Sequence, residues 1–320
     1  RSTLDGVIFS PRDISPDNLC EELQEFAKQQ PLPDLLLDPQ YYTSILDHSE
    51  PIRLGYLAND YPALHPVRRR VDLCKESVIK QDIQRSIEFQ LTLPLTHITA
   101  PNIVISRSFD SRETGYSIDF MRIAEAVRKE MHVAKPLLVT LALSRDALLS
   151  RTAVLEFANE LTGLSLDVSG FYVLVAATAA EARSQILHTD IVAGWMYLNY
   201  ALASNKYVVV NGYSDVLTPF LGVAGGYAGA TGWWSNLRAF SMERFAVAPS
   251  GGRLPVQRYL SKALLNRITF SELQFLRTQV DEVLNRLPGD ELYAEDNGSE
   301  PVRNQEVIQS WESIRSLCED

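Results

Sequence analysis

The pattern of apolar and polar positions is clearest in residues 206–240, around which the rest of the chain is organised. Three consecutive valines at 208–210 form a β-branched run, which is typical of a strand buried on both faces. A Thr-Pro pair and a Gly-Gly pair mark the start and the end of a short helix over 218–226. Small residues at 227–231 predict a second strand, which ends at Gly232. The segment therefore predicts two parallel strands joined by a very short helix.

The same alternation of strand and helix extends back to the start of the chain. Helices are predicted between the strands, the first with Ser15 as its cap and Pro16 at its first position. The predicted strands before residue 206 lie at 7–10, 35–37, 96–100 in preference to 103–105, 137–143 and 170–175. Strands separated by one helix each predict a parallel sheet.

We expect an α/β fold, a TIM-like (β/α)8 barrel of which seven strands are visible in the sequence. An eighth strand is expected either upstream of Arg1 or from one of the runs near 54–58 and 103–106. In barrels of this kind the active site gathers at the carboxyl ends of the strands. The segment 50–75 is polar, contains three prolines and lacks periodicity, so we expect a lid or a binding loop there.

The character of the chain changes after residue 248, where a Pro- and Gly-containing linker begins. We expect a barrel over 1–248 and a C-terminal helical extension over 249–320. Its helices are predicted at 256–267, 270–286 and 304–318. The middle helix would carry one apolar stripe of Leu273, Leu276, Val280 and Leu284. We expect this stripe to contact a protein partner or a second copy of the chain, the alternative being the barrel's own flank.

Composition excludes several classes of protein. The apolar content of 46% is that of a globular chain, and the formal charge is −10 at pH 7. A broadly acidic surface argues against direct binding to nucleic acid or to an anionic membrane. The basic run at 68–70 is interpreted as a solvated loop or a set of salt-bridge donors. No run approaches 18 apolar residues, so no membrane span is expected.

The cysteines and histidines show no spacing typical of a disulfide framework or a metal site. We therefore expect no metal and a reducing, cytoplasmic location. A Walker loop, a strand-GxGxxG-helix unit and a GxSxG motif are all absent from the sequence, so the cofactor is unknown.

Candidate chemistry lies in the polar residues that follow the predicted strands. Asp38 comes directly after a leucine-rich strand, where burial would raise its pKa and suit it to acid/base catalysis. The alternative is that Asp38 caps a turn at Pro39. Arg107 and Arg145 are candidate anion clamps, and the alternative for both is a surface ion pair with a neighbouring aspartate.

The pair VVVNGYSD and YAGATG resembles the last two units of phosphate-binding (β/α)8 barrels over some 35 residues. The resemblance implies a phosphate held on backbone amides by Asn211, Gly212, Gly232 and Ser235, with a helix opening after Gly232. The chain departs from that pattern at Tyr213, where a small residue is common, and at the two tryptophans after Gly232.

Three functions follow from these observations. The first is a barrel enzyme that acts on a small anionic, phosphate-bearing or nucleotide-like substrate. The second is a non-catalytic scaffold that docks a protein partner or a second copy through the C-terminal helices. The third is a nucleic-acid-processing barrel that a partner brings to its substrate.

Overall fold

The computed structural model describes residues 4–47, 52–178, 180–181, 188–234, 237–247, 256–294 and 302–320. The strands are β1 (Gly6–Phe9), β2 (Asp34–Leu37), β3 (Ile98–Ala100), β4 (Val104–Ile105), β5 (Leu137–Ser144), β6 (Gly170–Ala176), β7 (Val208–Gly212), β8 (Ala228–Gly229), β9 (Arg258–Ser261) and β10 (Asn266–Thr269). The helices are α1 (Pro16–Ala27), α2 (Leu57–Asp60), α3 (Glu76–Leu91), α4 (Arg112–Glu130), α5 (Arg151–Gly163), α6 (Thr189–Ser204), α7 (Thr218–Val223), α8 (Phe270–Arg277), α9 (Glu291–Ala294) and α10 (Arg303–Glu319). None of the helices in these ranges combines the length and the apolar character needed to cross a membrane.

A six-stranded parallel sheet forms the centre of the molecule. Its order is β3-β5-β6-β7-β8, and β4 also pairs with β5. The register sets Thr140 of β5 beside Tyr172 of β6, and Tyr172 beside Val210 of β7. One helix between successive strands gives this order and direction, since each helix returns the chain to the same end of the sheet. The predicted α/β fold with a parallel sheet is confirmed.

The runs at 96–100 and 103–105 both belong to the sheet. Ile98 pairs with Leu137 and Val104 pairs with Ala142, so β3 and β4 lie along one edge of β5. Asn102 interrupts them, and its side-chain amide donates to the Thr140 carbonyl at 2.7 Å. The run near 103–106 is therefore a second part of the third strand position and not an eighth strand.

The strands β1 and β2 form a separate parallel pair. The Leu35 carbonyl of β2 accepts from the Thr96 N–H at 3.0 Å, just before β3. Tyr227, just before β8, donates its hydroxyl to Asp34 at 3.0 Å. Strand ladders among the described residues do not link β2 to β3 or β8 to β1. Hydrogen bonds between strands thus leave the predicted barrel unclosed, while the strand order follows the chain as a barrel requires.

Two hydrophobic layers lie on opposite faces of the central sheet, because successive strand residues point to opposite faces. Val139 and Leu141 of β5 pack in the layer that includes residues of α3, α4, α5 and α6. Leu138 and Ala142 pack in the other layer, with Tyr172 and with residues of β1, β2 and α1. Burial on both faces explains why β5 is apolar at every position except Thr140 and Ser144.

The long segment predicted to be a lid is packed where the structure describes it. Leu54, Leu57, Tyr61 and Leu64 are buried in the same layer as β1 and β2. The run near 54–58 enters helix α2, so it does not supply an eighth strand either. In the basic run that follows, Arg68 and Arg70 form ion pairs with Asp82 and Glu113.

The C-terminal extension differs from its prediction. The helix predicted over 256–267 is wrong, because β9 and β10 form an antiparallel hairpin there, with Tyr259 opposite Ile268. The helix predicted over 270–286 ends at Arg277. Val280 and Leu284 lie beyond the end of this helix, so the predicted stripe does not lie on one helix. Leu273 is buried, whereas Val280 is 38% exposed. The last predicted helix is confirmed as α10.

The extension docks on the sheet-bearing part of the chain through buried polar contacts. Arg238 donates to Glu306 of α10 at 2.9 Å, and both side chains are buried. Trp233 packs against Trp311 of α10 with ring centroids 5.6 Å apart. These contacts set α10 beside the loop that follows β8.

Candidate active site at the carboxyl ends of the strands

The carboxylate predicted to be catalytic, Asp38, lies directly after β2 and is almost completely buried. Its Oδ2 atom accepts a hydrogen bond from the Tyr42 hydroxyl at 2.9 Å and a longer one from the Tyr172 hydroxyl at 3.5 Å. Its Oδ1 atom accepts from the Gln40 N–H at 3.1 Å. Burial raises the pKa of Asp38 to about 6, although these hydrogen bonds and the charge of Arg244 act in the opposite direction. The Asp38 carboxyl therefore keeps its proton to a higher pH than an ordinary aspartate does.

The chain turns sharply after β2, and this turn builds the surroundings of Asp38. Gln40 has a left-handed φ of 54°, and a 3-10 helix over Tyr41–Thr43 follows it. The turn carries the Gln40 N–H back to Asp38 and brings Tyr42 to the same carboxylate. Asp38 thus also caps the turn, which is the alternative stated from the sequence.

Tyr213 and Arg244 form a second part of the site. Tyr213 follows β7 with a left-handed φ of 55°, and burial raises its pKa to about 12. Arg244 comes from a 3-10 helix over Met242–Phe245 and donates from Nη1 to the Tyr213 hydroxyl at 2.9 Å. Burial lowers the pKa of Arg244, but Tyr213 and Asp13 raise it by more, so the guanidinium stays charged.

A cavity of about 120 Å³ lies at the carboxyl ends of β6 and β7. Tyr213 connects it to the surroundings of Asp38: its ring lies 5.6 Å from that of Phe240, which in turn lies 5.0 Å from the Tyr42 ring. The Asp38 carboxylate itself is not part of the cavity wall. The wall residues include Trp195, Tyr213, Asp215, Arg238 and Phe240.

The two arginines predicted to clamp an anion lie apart from Asp38. Arg107 is exposed in the connection between β4 and α4. Arg145 follows β5, and its Nε atom lies 2.8 Å from Glu181 Oε1 and its Nη1 atom 3.2 Å from Asp146. Glu181 lines the cavity, so Arg145 contacts the site through this partner.

Asn211, predicted to cradle a phosphate, is part of a buried amide network. Its Oδ1 atom accepts from Trp195 Nε1 at 2.8 Å and from Asn199 Nδ2 at 3.0 Å. Its own Nδ2 donates to Asn199 Oδ1 at 2.7 Å. The side-chain amide of Asn211 is thus engaged by α6.

Gly212 packs against Tyr172, one of the residues around Asp38. A β-carbon at this position would lie 2.7 Å from the Tyr172 hydroxyl and 2.5 Å from Leu174 Cδ2. The Tyr172 hydroxyl can approach Asp38 in this position only because residue 212 has no side chain.

Gly232 faces protein and not an open cradle. A β-carbon there would lie 2.0 Å from Leu237 Cβ, so this close packing requires glycine. The α-helix predicted to open after Gly232 is wrong within described residues 237–247, where 3-10 turns are the helical structure that is seen. Ser235 lies outside the described residues. The prediction that free backbone amides at a helix start bind an anion here therefore has no support from residues 237–247.

Sequence reasoning missed three residues of the site, Tyr42, Tyr172 and Arg244. Tyr172 faces Asp38 from the middle of the apolar strand β6, and Arg244 comes from a segment 206 positions beyond Asp38 in the chain. The alternation of β6 sends Tyr172 to the face opposite Phe171 and Val173, which was the available signal. The local sequence pattern gave no indication that Arg244 belongs to the site.

The described part of the chain holds no group of three or more His, Cys, Asp or Glu side chains that could bind a metal ion. Asp38, three tyrosines and one arginine supply this region with a carboxyl group, hydroxyl donors and a positive charge. No known protein family and no curated protein matches the chain.

Proposed function

We propose that the protein is an enzyme that transfers a proton to or from a small anionic substrate, with Asp38 as the acid/base group. The observation that carries this proposal is the buried Asp38 carboxyl at a strand end, with its pKa raised to about 6. An acid/base group works best when its pKa lies near the working pH. Residues with strongly perturbed pKa values cluster at functional sites.

Backbone strain at the same strand ends supports the proposal. Gln40, Tyr213 and Asp215 are non-glycine residues with φ between 45° and 55°. Such conformations cost about 1–3 kcal/mol each and cluster at active sites and ligand clamps. Gln40 and Tyr213 both contact groups around Asp38, which supports a functional origin for the strain.

The proposal includes a TIM-like (β/α)8 barrel over residues 1–248, of which the described strands supply seven positions, and an extension over 249–320. The strand order and the contacts of Leu35 with Thr96 and of Tyr227 with Asp34 support closure. Active sites of such barrels lie at the carboxyl ends of the strands, where Asp38 and Tyr213 are found.

The size and the lining of the cavity support a small substrate. At about 120 Å³ it is well below the roughly 300–1,000 Å³ of pockets for drug-sized ligands. A single phosphate- or carboxylate-bearing fragment fits this size better than a whole nucleotide. Arg145 remains in the proposal because it pairs with Glu181 of the cavity wall. Gly212 remains because it leaves room for the Tyr172 hydroxyl. Arg107, Asn211, Gly232 and Ser235 are not required by it.

The test is a comparison of wild-type protein with Asp38→Asn on a panel of small carboxylates, sugar phosphates and nucleotides. Each compound is incubated with protein in deuterated water and followed by mass spectrometry. Consumption or deuterium incorporation should fall by about 10²–10⁴-fold in the variant. Asp17→Asn, which neutralises an exposed aspartate of α1, should behave as wild type. A panel without Asp38-dependent turnover contradicts the proposal.

A scaffold function is the second candidate, because the extension exposes apolar side chains. Phe275 of α8 is 68% exposed, and Leu264 and Leu265 of the hairpin turn are also exposed. Phe275 borders a shallow groove with Ile268 and Leu276. If a second copy of the chain docks here, light scattering should detect a dimer that Phe275→Ser abolishes. A monomeric wild-type protein across the concentration range contradicts self-association.

A further inference from the structure

We propose that Arg12 and Arg244 form a binding site for a small oxyanion, the carboxylate or phosphate group of a substrate. In the free protein the Asp13 carboxylate occupies this site. The catalytic meaning of this site rests on the proposed function. The site is where the charged group of the substrate would be bound.

Three donors converge on the Asp13 carboxylate. Arg12 Nη1 bonds Oδ1 at 2.5 Å, and Arg244 Nη2 bonds Oδ2 at 2.7 Å. The Ser10 hydroxyl also donates to Oδ2, at 2.7 Å. Two guanidinium groups thus share the one Asp13 carboxylate. Guanidinium groups match the acceptor geometry of carboxylates and phosphates alike, so a free oxyanion would meet the same donors.

Both guanidinium groups are held by contacts that do not involve Asp13. Arg12 donates from Nε to the Arg53 carbonyl at 2.9 Å and from Nη2 to the Arg244 carbonyl at 3.3 Å. Arg244 donates to the Tyr213 hydroxyl. Both arginines lie over the Phe245 ring, at 5.6 and 5.3 Å from its centroid. The donors would therefore keep their positions if Asp13 left, and an incoming anion would not have to order them.

Asp13 is the replaceable member of the cluster. Its side chain is 35% exposed, whereas those of Arg12 and Arg244 are 15% and 3% exposed. Asp13 lies on a surface turn, in which its own N–H donates to the Ser10 carbonyl at 2.9 Å. Rotation of its side chain would return the carboxylate to water and open the arginine pair to solvent. A buried carboxylate could not be exchanged in this way.

The arginine pair is connected to Asp38 by two routes. Gln40 donates from Nε2 to Ser10 Oγ at 2.8 Å, while its N–H bonds Asp38. Arg244 binds Tyr213 and faces the Asp38 charge. An oxyanion bound in place of Asp13 is thus next to the residues that surround the acid/base carboxyl. This position suits a substrate in which the reacting atom is close to its charged group.

The experiment measures the binding of inorganic phosphate and of acetate by calorimetry at constant ionic strength. Asp13→Ser removes the internal competitor, so phosphate or acetate should bind about tenfold tighter or more than to wild type. Asp17→Ser removes the same charge from the exposed face of α1 and should leave the affinity at the wild-type value. Adding Arg12→Lys to Asp13→Ser should abolish the gain, since lysine lacks the guanidinium fork. The stronger of the two probes identifies the phosphate or the carboxylate class.

Equal affinities in Asp13→Ser and Asp17→Ser overturn the site and leave the cluster as an ordinary salt-bridge network. If Asp13→Ser does not fold, the wild-type protein decides: phosphate must raise its melting temperature above that in chloride of matched ionic strength, and Arg12→Lys must remove the rise. Absence of this rise overturns the site as well. Asp13→Ser/Asp38→Asn separates the two proposals, because it should keep phosphate binding whether or not Asp38 is catalytic.

Discussion

The Asp215 carboxylate and the Arg267 guanidinium form a buried two-point ion pair between the loop after β7 and the hairpin strand β10. Arg267 Nη2 bonds Oδ1 at 2.8 Å and Nη1 bonds Oδ2, while the Thr231 hydroxyl also bonds Oδ1. Burial raises the pKa of Asp215, but Arg267, the Thr231 hydroxyl and the charge of Arg238 together outweigh it, so the pKa is lowered. One contact between residues 52 positions apart thus joins the extension to the strand ends.

Replacing Arg267 by methionine should destabilise the protein by about 3–5 kcal/mol, because Asp215 would remain buried without its partner charge. Urea unfolding at pH 7 measures this loss. The double variant Asp215→Leu/Arg267→Met should recover most of it, since residue 215 then carries no charge. Lys28→Met breaks an ion pair whose partners are both well exposed and should cost less than about 1 kcal/mol. Equal costs at the two sites would contradict the role given to Asp215.

Asp38 should make the protein less stable as the pH rises from about 4 to about 6. Its folded pKa of about 6 lies above the ordinary 3.8, so in this range the folded state binds more protons than the unfolded state. The penalty is absent below pH 4 and constant above pH 6, and the difference between the two pKa values corresponds to about 3 kcal/mol. Asp38→Asn cannot ionise, so its stability relative to wild type should rise through this window.

Urea unfolding of wild type and Asp38→Asn at pH 4, 5, 6 and 7 tests this dependence. Titrations shared by the two proteins cancel in the difference, and so do pH-independent changes in hydrogen bonding. Asp17→Asn is the control, because an exposed aspartate should give a difference from wild type that is nearly flat with pH. A flat difference for Asp38→Asn as well would place its pKa near 3.8 and remove the main support for acid/base catalysis.

Asn211 should prove essential for stability and dispensable for anion binding. Asn211→Leu leaves Trp195 Nε1 and the Asn199 amide buried without their partner, which costs about 1–3 kcal/mol for each group. Asn18→Leu on the exposed face of α1 should stay within about 0.5 kcal/mol. Phosphate affinity measured on folded Asn211→Leu should equal that of wild type. A loss of phosphate binding with unchanged stability would restore the phosphate cradle.

The alternation of strands and helices was predictable because burial on both faces produces strands with apolar runs, such as those in β5 and β7. Local helix chemistry was also predictable: Ser15 caps α1 by accepting from the Asn18 N–H, with Pro16 at the first position. Both features depend on residues close together in the chain, where the hydrophobic period and the caps act directly.

The hairpin of β9 and β10 could not be predicted in this way. Its turn, Lys-Ala-Leu-Leu over 262–265, contains no Gly, Pro, Asn or Asp and is made of residues that favour helices. Leu265 adopts a left-handed φ of 47°, and Leu264 and Leu265 are both exposed. The pairing of Tyr259 with Ile268, and their burial in the small core of the extension, override the local preference.

The candidate site was predictable only in its strand-end carboxylate. A polar residue after a buried strand marks Asp38, and the strand-end rule then locates it. Its partner Tyr172 is 134 positions away, and Arg244 lies farther still along the chain, so their approach depends on the register of β6 and on the docking of residues 242–245. Tertiary contacts of this range leave no periodicity in the sequence.

Deletion of residues 254–320 should abolish the cooperative melting transition without changing the oligomeric state. The deletion removes Arg267 and Glu306, so the Asp215 carboxylate and the Arg238 guanidinium would each lose a buried ion-pair partner. Circular dichroism gives the melt, and light scattering gives the molar mass. Phe275→Ser is the matched control, because it changes an exposed residue of the extension and should leave the melt intact. A truncated chain that melts as wild type but loses self-association would show that the extension is an interaction module, which favours the scaffold function over the enzyme.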